Sequence, residues 1–487
     1  MLAVLTLACT SDRLPGSADR AAVVAHVDSG GRGDTAPDSD GHEDTSADSG
    51  HDSAEDSGHL ERLEQTPGSL HLPSLVGKSI IILHVDTLRA DHLAAYGYFR
   101  ETTPRLSARE WLVVDGEIAA SSWTVPSTAS FFTGLDVRHH NVRYLTLAEP
   151  NQALSATTFA TRLADAGYAT GLFTGNLMVS EQTHLSPGFQ TETQLQKMST
   201  GAELNSANLT AATLGWIDGL QDGQLFMAHV QAMDPHAPYV PPAAYAGTWA
   251  TDVQFQTEGA SLTDQPKEIQ ALLAAAGTDE ERAAVRAQVN GVYDETLLGL
   301  DEGTDQLLAG LEDRGLLDDV AVFLTADHGE DLDDAGDSAI GHGGNLREPT
   351  IHLPLMILDA GLAPGKTTCR MRNYDLWPTI FVAMGNDMPD GLDGVDLAAG
   401  CPTTATSSLW DDSGRLMLVA TDGARSKLHA HCIPDSARNG TNFGADYRFD
   451  ESAAVSTLLD ADALEEALSN DIAAIEADLP GARCHVE

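Results

Sequence analysis

Residues 121–134, SSWTVPSTASFFTG, place several hydroxyl side chains beside a short apolar run. Pro126 suits the first turn of a helix and Gly134 suits its end, which predicts a helix over 126–133 with Thr124 just before it. Free backbone amides and the helix dipole favour an anion at such a position. Thr124 is therefore either a nucleophile for an anionic substrate or an ordinary helix cap.

Potential metal ligands follow two other apolar runs. Residues 80–85 and 320–324 have the pattern of buried strands in a parallel sheet, with Asp86 directly after the first run and Asp327 and His328 just beyond the second. Because ligands collect at the carboxyl ends of strands in open α/β sheets, these side chains are expected to meet. Together with the Thr124 hydroxyl, they would supply the ligands for one divalent cation.

The elements that must position these side chains indicate an α/β fold. Apolar β-type runs alternate with helical patterns, which predicts a largely parallel central sheet with helices on both faces. The further strand candidates are 169–173, 225–230 and 353–358, and the helix candidates are 154–166 and 288–314. We expect one catalytic domain over 75–397 and a small α+β subdomain over 398–487, in which a hairpin turns at Asp422–Gly423 and an acidic helix follows at 460–478.

The amino-terminal segment indicates export. Residues 1–9 are apolar up to Cys9 and then turn polar, which resembles the end of a bacterial lipoprotein signal with Cys9 as the lipidated residue. Residues 10–66 are rich in Asp, Ser and Gly and are predicted to form a disordered acidic linker. These features predict an exported protein of the bacterial cell envelope that contacts the membrane only through its lipid anchor.

The charge balance limits the partners. The 487 residues include 73 acidic and 27 basic ones, for a formal net charge of −46. This charge argues against a nucleic-acid partner, because a phosphate backbone would be repelled. An anionic substrate would then need a local attraction, and a bound cation is the obvious source.

Four of the five cysteines lie in the carboxyl-terminal quarter, at Cys369, Cys401, Cys432 and Cys484. In an exported protein this even number predicts two disulfides, whose connectivity stays open. A structural metal is the weaker alternative, because no pair has zinc-site spacing.

Five motifs occur in a recognisable order: VDTLRADHLAAYGY, TVPSTASFFTG, DPHAPY, TADHGE and GHGGNLREPTIHLPLMI. In order and spacing, residues 80–397 resemble the sulfatase branch of the alkaline phosphatase superfamily. The resemblance implies an alkaline-phosphatase-like fold, with Asp86, Asp327 and His328 as metal ligands and Thr124 at the nucleophile position. It also implies that His236 and His342 contact the transferred group or the leaving oxygen, as catalytic and substrate-binding residues.

The chain departs from that family pattern at three places. Thr124 and Thr128 stand where the signature C/S-x-P-S-R has its modified residue and its arginine, and threonine cannot be oxidised to formylglycine. Direct attack by a threonine alkoxide is the chemistry that remains. Asn176 stands near the usual Lys-x-His pair and is a candidate substrate contact. Thr87 replaces a second aspartate, so the ligand His328 favours Mn²⁺ or Zn²⁺, with Ca²⁺ and Mg²⁺ as open alternatives.

These features predict a metal-dependent hydrolase of sulfate or phosphate-type esters, whose substrate is a small anionic ester, free or carried on a glycan or lipid. His342 is the expected proton donor to the leaving oxygen. One alternative is a phosphoryl-group transferase of the phosphoethanolamine type that acts on envelope glycans or lipids, and another is a non-catalytic binding protein with this fold. A second metal site at Asp234, His236 and His342 is a weaker alternative. Arg89 and Glu330 either support the ligands or form ordinary structural pairs.

Overall fold

A computed structural model describes residues 62–140, 142, 154–195, 205–251, 264–410, 416–421, 427–433 and 483–486. Several expectations lie outside these residues, namely the signal segment with Cys9, the acidic linker up to residue 61, the turn at Asp422–Gly423 and the helix over 460–478. Leu63 forms a β-bridge with Leu362. The folded part of the chain therefore begins before residue 66, where the predicted linker was expected to end. No helix in the described part of the chain is both long and apolar enough to cross a bilayer.

The described residues form strands and helices in alternation. The strands are β1 (Ser79–Val85), β2 (Leu112–Ile118), β3 (Ala169–Thr174), β4 (Thr191–Gln194), β5 (Phe226–Ala232), β6 (Val320–Ala326), β7 (Asp331–Leu332), β8 (Ile340–Gly341), β9 (His352–Leu358), β10 (Gly365–Arg372), β11 (Ala405–Trp410), β12 (Leu416–Thr421), β13 (Lys427–Ile433) and β14 (Arg483–Val486). The α-helices are α1 (Pro104–Ser107), α2 (Thr124–Thr133), α3 (Val137–His140), α4 (Phe159–Asp165), α5 (Ser206–Ile217), α6 (Asp264–Ala275), α7 (Asp279–Asp313), α8 (Glu348–Ile351) and α9 (Leu376–Ala383).

Eight strands build the central sheet, in the order β10-β2-β9-β6-β1-β5-β3-β4. Strand β9 pairs antiparallel with both β2 and β6, whereas the other neighbours pair in parallel. Seven strands therefore run in one direction and β9 runs against them. This architecture confirms the predicted α/β fold with a largely parallel sheet. The antiparallel strand β9 is the exception to the parallel pattern.

The sheet has an apolar core on each face. Side chains alternate along β1, so Ile81 and Leu83 join one core while Ile80 and Ile82 join the other. Helices α5 and α7 pack on the first face, and α2, α4 and α9 pack on the second. Because β1 is buried on both faces, it has the continuous apolar pattern that made it recognisable in the sequence.

Helix α2 begins at Thr124 itself, which corrects the prediction that Thr124 precedes the helix. The N-cap is Trp123, with an extended backbone at φ −143° and ψ 136°, and its side chain supplies no capping hydrogen bond. Gly134 ends the helix in the left-handed conformation, as predicted. The hydroxyl of Thr124 thus stands on the first residue of the helix, at the positive end of its dipole.

A second sheet, with the order β11-β12-β13-β14, is antiparallel throughout. Strands β12 and β13 are paired as the predicted hairpin requires. The backbone of β11 contacts the segment before α2, because the N–H of Ser408 donates to the carbonyl oxygen of Ala120 at 2.9 Å. This sheet therefore packs beside the segment that leads into α2.

One disulfide joins Cys369 on the edge strand β10 to Cys401, with 5.4 Å between their Cα atoms. For the remaining two cysteines, the backbone register places Cys432 of β13 directly opposite Cys484 of β14. Directly opposed residues of an antiparallel pair have Cα atoms about 4.5–5.5 Å apart, which lies within the range of disulfides.

We therefore predict a second disulfide between Cys432 and Cys484. Peptide mapping of the unreduced protein by mass spectrometry should find one peptide pair that contains these two cysteines and another that contains Cys369 and Cys401. Free thiols at Cys432 and Cys484 in protein purified without reductant would contradict this prediction.

Candidate active site

The candidate site lies where two neighbouring parallel strands end. The register of β1 and β6 pairs Val85 with Ala326, so the next residues, Asp86 and Asp327, leave the sheet side by side. Ligand atoms of Asp86, Asp327 and His328 all lie within 4.8 Å of one another, and all three residues are buried. Within the described ranges, this is the one group of three such side chains close enough to share a metal ion.

Each carboxylate has one engaged oxygen and one bare oxygen. Asp86 Oδ2 accepts a hydrogen bond from Asn176 Nδ2 at 2.5 Å. Asp327 Oδ1 accepts from the backbone N–H groups of His328 at 2.8 Å and Thr87 at 3.3 Å. Asp86 Oδ1 and Asp327 Oδ2 have no hydrogen-bond partner in the described structure, although both are buried. A buried carboxylate oxygen without a partner is costly, and a bound cation would remove that cost.

The imidazole of His328 likewise has one nitrogen engaged in a hydrogen bond and one directed toward the two carboxylates. Its Nδ1 lies 2.9 Å from the carbonyl oxygen of Gly329, and because a carbonyl only accepts, the neutral ring carries its proton on Nδ1. Its Nε2 is then free of a proton and lies 3.7 Å from both Asp86 Oδ1 and Asp327 Oδ2. A backbone carbonyl behind a ligating imidazole is common in metal sites, where it fixes the tautomer.

The electrostatics of the group indicate a missing positive charge. Burial raises the pKa of Asp86, and the neighbouring Asp327 raises it further. Burial also raises the pKa of Asp327 to about 7 and lowers that of His328 to about 3. Two close carboxylates that resist ionisation and one neutral imidazole match the donor set of a divalent cation. The residues present therefore fit the metal that the sequence predicted.

Thr124 completes this group. Its Oγ1 lies 3.1 Å from His328 Nε2, and its side chain is buried at the amino end of α2. The hydroxyl thus shares the space toward which the bare atoms of Asp86, Asp327 and His328 converge. This placement brings together all four residues that the sequence proposed as ligands.

A nearby hydroxyl has a structural contact instead. Ser127 Oγ donates to the carbonyl oxygen of Asp327 at 2.6 Å and accepts from Asn373 Nδ2 at 2.9 Å. Asn373 Oδ1 in turn accepts from the N–H of Ala120 at 3.2 Å. Ser127 and Asn373 therefore fasten α2 to the end of β6, and this fixes the distance between Thr124 and Asp327. Asn373 lies far along the chain from both, so sequence reasoning did not find it.

Two more imidazoles lie beside the group. The ring of His342 is 4.3 Å from that of His328 and 5.1 Å from that of His236, measured between centroids. His342 Nδ1 lies 3.0 Å from Glu330 Oε1, and His236 Nδ1 lies 2.5 Å from the carbonyl oxygen of Ala237. A carbonyl oxygen only accepts, so Nδ1 of His236 is the donor in its contact with Ala237. His342 and Glu330 share one hydrogen bond, and Nε2 of His342 lies on the other side of the ring from it.

Burial and the nearby ring of His236 lower the pKa of His342 to about 3, and burial raises that of Glu330 to about 7. His342 is therefore neutral at pH 7 in the substrate-free protein. An anionic ester beside it would raise its pKa, because a negative charge favours the imidazolium form.

Other predicted residues have different partners. The amide of Asn176, proposed as a substrate contact, donates to Asp86 and so orients a carboxylate. Asp234 accepts from the N–H and the hydroxyl of Ser206 at the start of α5 and belongs to no described three-ligand group, so the structure gives no support to a second metal site there. Arg89 supports the site from outside: its guanidinium donates to the carbonyl oxygen of Glu330 at 3.0 Å.

The segment from Gly329 to Thr350 is closed at its base. The N–H of Gly329 donates to the carbonyl oxygen of Thr350 at 2.9 Å, and the N–H of Glu330 donates to that of Pro349 at 3.0 Å. A Cβ atom at Gly329 would collide with the carbonyl oxygen of Pro349, so only glycine fits there. The segment leaves β6 and enters β9 at the same end of these two neighbouring strands. His342 lies between these two points.

Comparison with solved structures places this architecture in a known class. The chain is similar to the phosphonate monoester hydrolase of Agrobacterium radiobacter, with a TM-score of 0.56 and 20% identity over 72% of this chain and 87% of that one. It is also similar to BT4656, solved in complex with its substrate D-glucosamine-2-N,6-O-disulfate, with a TM-score of 0.63 and 15% identity over 82% of this chain and 98% of that one. The chain therefore shares the fold of these two structures.

The family follows from the sequence itself. The family model described as Sulfatase matches residues 78–386, and the chain belongs to that family. Arylsulfatase A of Bos taurus is 34% identical over 119 residues, which are 22% of this chain and 23% of that protein. The matched stretch thus spans about a quarter of that relative's length.

Proposed function

We propose that this protein hydrolyses sulfate or phosphate-type esters with Thr124 as the nucleophile. The single observation that carries the proposal is the position of the Thr124 hydroxyl, buried at the amino end of α2 and 3.1 Å from the bare Nε2 of His328. The unpartnered oxygens of Asp86 and Asp327 converge on the same space. A hydroxyl with only a structural role at a helix end would not need unpartnered carboxylate and imidazole atoms around it.

Asp86, Asp327, His328 and Thr124 would hold one divalent cation, with Mn²⁺ or Zn²⁺ favoured by the imidazole ligand. When bound, the cation would lower the pKa of the Thr124 hydroxyl and offset negative charge on the ester. The protein's own contribution is to hold Thr124 at a fixed distance from the ester, through the attachment of α2 to β6 by Ser127.

The reaction then has two steps. Thr124 Oγ1 gives up its proton to solvent and attacks sulfur or phosphorus in line, so that its bond to that atom forms while the bond to the leaving oxygen breaks. His342, protonated on Nε2 once the anionic ester has raised its pKa, gives that proton to the leaving oxygen. A water molecule next attacks the threonine ester and loses a proton to His342, while Thr124 Oγ1 leaves and takes up a proton from solvent. This restores Thr124 and releases sulfate or phosphate from a monoester, a phosphate monoester from a diester, or a phosphonate from a phosphonate monoester. Glu330 holds His342 in orientation at 3.0 Å through both steps.

Comparison with relatives supports this class of reaction. The names of the relatives include an arylsulfatase and a phosphonate monoester hydrolase, so related proteins act on both sulfur and phosphorus esters. The threonine at position 124 favours phosphorus, since a sulfatase of the common type depends on formylglycine, which threonine cannot form.

The test is a panel of aryl sulfate, phosphate monoester, phosphodiester and phosphonate monoester substrates, assayed with Mn²⁺ and with Zn²⁺. We expect metal-dependent turnover that is highest on a phosphodiester or a phosphonate monoester. A parallel assay with an added acceptor alcohol distinguishes hydrolysis from group transfer. A transferase would form the ester of the acceptor alcohol faster than the product of hydrolysis by water. Absence of turnover on every substrate with both metals would favour a binding protein and contradict the proposal.

A further inference from the structure

The turn after β1 has an unusual backbone. Thr87 directly follows the ligand Asp86, is fully buried, and has φ at 60°. This left-handed conformation is rare for a β-branched residue, because the branched side chain crowds the backbone. Something in the surrounding structure must therefore hold Thr87 in place.

The conformation serves both carboxylates of the site. It directs the N–H of Thr87 to Asp327 Oδ1 at 3.3 Å, while Asp86 keeps Oδ1 bare toward the same space. The turn thus sets the position of Asp86 and engages the oxygen of Asp327 that does not face the metal space. If Thr87 relaxed to an extended backbone, this link between the two carboxylates would be lost.

One hydroxyl on α7 holds the turn. Tyr293 is fully buried, and its hydroxyl donates to the carbonyl oxygen of Thr87 at 2.7 Å and accepts from the N–H of Arg89 at 3.1 Å. The side chain of Arg89 continues the connection, since it donates to Glu330 and pairs with Asp334 at 2.8 Å.

We propose that Tyr293 is a positioning residue that keeps Thr87 in its left-handed conformation and thereby sets the affinity of the Asp86, Asp327 and His328 group for a divalent cation. The inference rests on the metal site of the proposed function. It adds a residue from a helix that contributes no ligand, and neither the family motifs nor the spacing of the sequence indicates it.

The experiment measures Mn²⁺ binding to the metal-free protein by titration calorimetry. Tyr293→Phe removes the hydroxyl and keeps the ring, and we expect its Kd for Mn²⁺ to rise about 10- to 100-fold, the usual effect of losing a group that orients a metal ligand. Adding Thr87→Gly to this variant should restore most of the affinity, because glycine adopts a positive φ without strain. A role in packing alone would not give this recovery.

Tyr239→Phe is the matched control. Tyr239 is also fully buried, its ring centroid lies 5.9 Å from that of Tyr293, and its hydroxyl has no hydrogen-bond partner in the described structure. We expect its Kd for Mn²⁺ to stay within about twofold of the wild-type value, since it holds no metal ligand.

An unchanged Kd in Tyr293→Phe would overturn the inference, as would a double variant that binds no better than Tyr293→Phe. If Tyr293→Phe does not fold, the double variant is measured in its place. The inference requires this variant to fold and bind Mn²⁺, and failure to do so overturns it. A wild-type protein that binds no divalent cation would instead contradict the proposed function.

Discussion

Thr124→Ala should lose nearly all turnover, on the order of several powers of ten, while the protein stays folded. The expected loss is large because no other described hydroxyl has the position of Thr124, 3.1 Å from His328 Nε2 at the start of α2. With a purely structural role, the Thr124 hydroxyl would affect mainly stability, by about 1 kcal/mol. Steady-state kinetics and a thermal melt on the same preparation separate the two roles.

Four further variants test whether the Thr124 hydroxyl is the group that matters. Thr124→Ser keeps the hydroxyl and should retain measurable activity, whereas Thr124→Val keeps the shape and should be as inactive as Thr124→Ala. Thr128→Val is the matched control, because Thr128 lies one turn later in α2, is fully buried, and has no partner for its hydroxyl in the described structure. Ser127→Ala should cost about 1–3 kcal/mol of stability through its contacts with Asp327 and Asn373, with a much milder effect on turnover.

Mass spectrometry of a quenched reaction supplies the chemical evidence. We expect a phosphoryl-type adduct on Thr124 and no formylglycine in any peptide. An adduct on Ser127, or full activity in Thr124→Ala, would show that a different group attacks.

Asp327→Asn should remove divalent-cation binding and, with it, activity. The substitution keeps the shape of the side chain but replaces a charged ligand oxygen that is bare in the structure. A ligand at about 100 times its Kd stabilises a folded protein by about 2.7 kcal/mol, so the wild type should melt at a higher temperature with Mn²⁺ and the variant should not. Retained Mn²⁺-dependent stabilisation in Asp327→Asn would contradict this ligand assignment.

Without metal, the same substitution should change how stability depends on pH. Burial raises the pKa of Asp327 to about 7, above the usual value of 3.8, so the folded state holds a proton that the unfolded state releases. The contribution of Asp327 to the stability of the metal-free wild type should therefore fall as the pH rises from about 4 to about 7. Asp327→Asn lacks this contribution, so in chelator its melting temperature should exceed that of the wild type at pH 7 by more than at pH 5.

Glu117→Gln is the control for a buried carboxylate that holds no metal. Glu117 on β2 accepts from Thr325 at 2.6 Å, and burial raises its pKa to about 8, so it is mostly protonated at pH 7. A neutral amide is close in shape and charge to that protonated acid. Metal binding and turnover of Glu117→Gln should therefore match those of the wild type.

The central strands were predictable because burial on both faces gives a continuous apolar run. β1, β3, β5, β6 and β9 lie within one or two residues of their predicted bounds. β2, β4 and β10 were missed for physical reasons. The register of β2 shifts between Val114 and Glu117, around the polar pair Asp115–Gly116, and β4 and β10 are edge strands with mostly polar side chains.

Asp86, Asp327 and His328, the residues proposed as metal ligands, were predictable in the same way, because they follow directly after recognisable strands. The groups that orient them were not, since Asn176, Asn373 and Tyr293 come from distant parts of the chain and carry no local pattern. Asn176 has a contact that the resemblance to the family did not indicate. Its position suggested a substrate contact, which stays a prediction, and the folded geometry adds a hydrogen bond from its amide to Asp86 that the sequence did not indicate.

Because strand β9 is reversed, the connection between β6 and β9 can change in length without moving either strand. Because β9 is antiparallel to β6, residues 329–351 leave and re-enter the sheet at the same end of these two neighbouring strands. Close packing of Gly329 against Pro349 holds the two ends of this segment together. Lengthening such a loop is cheap, at about 0.6 kcal/mol for each doubling of its length. The part of this segment that carries no proposed site residue could therefore change in length at small cost in stability while Asp327 and His328 stay in place.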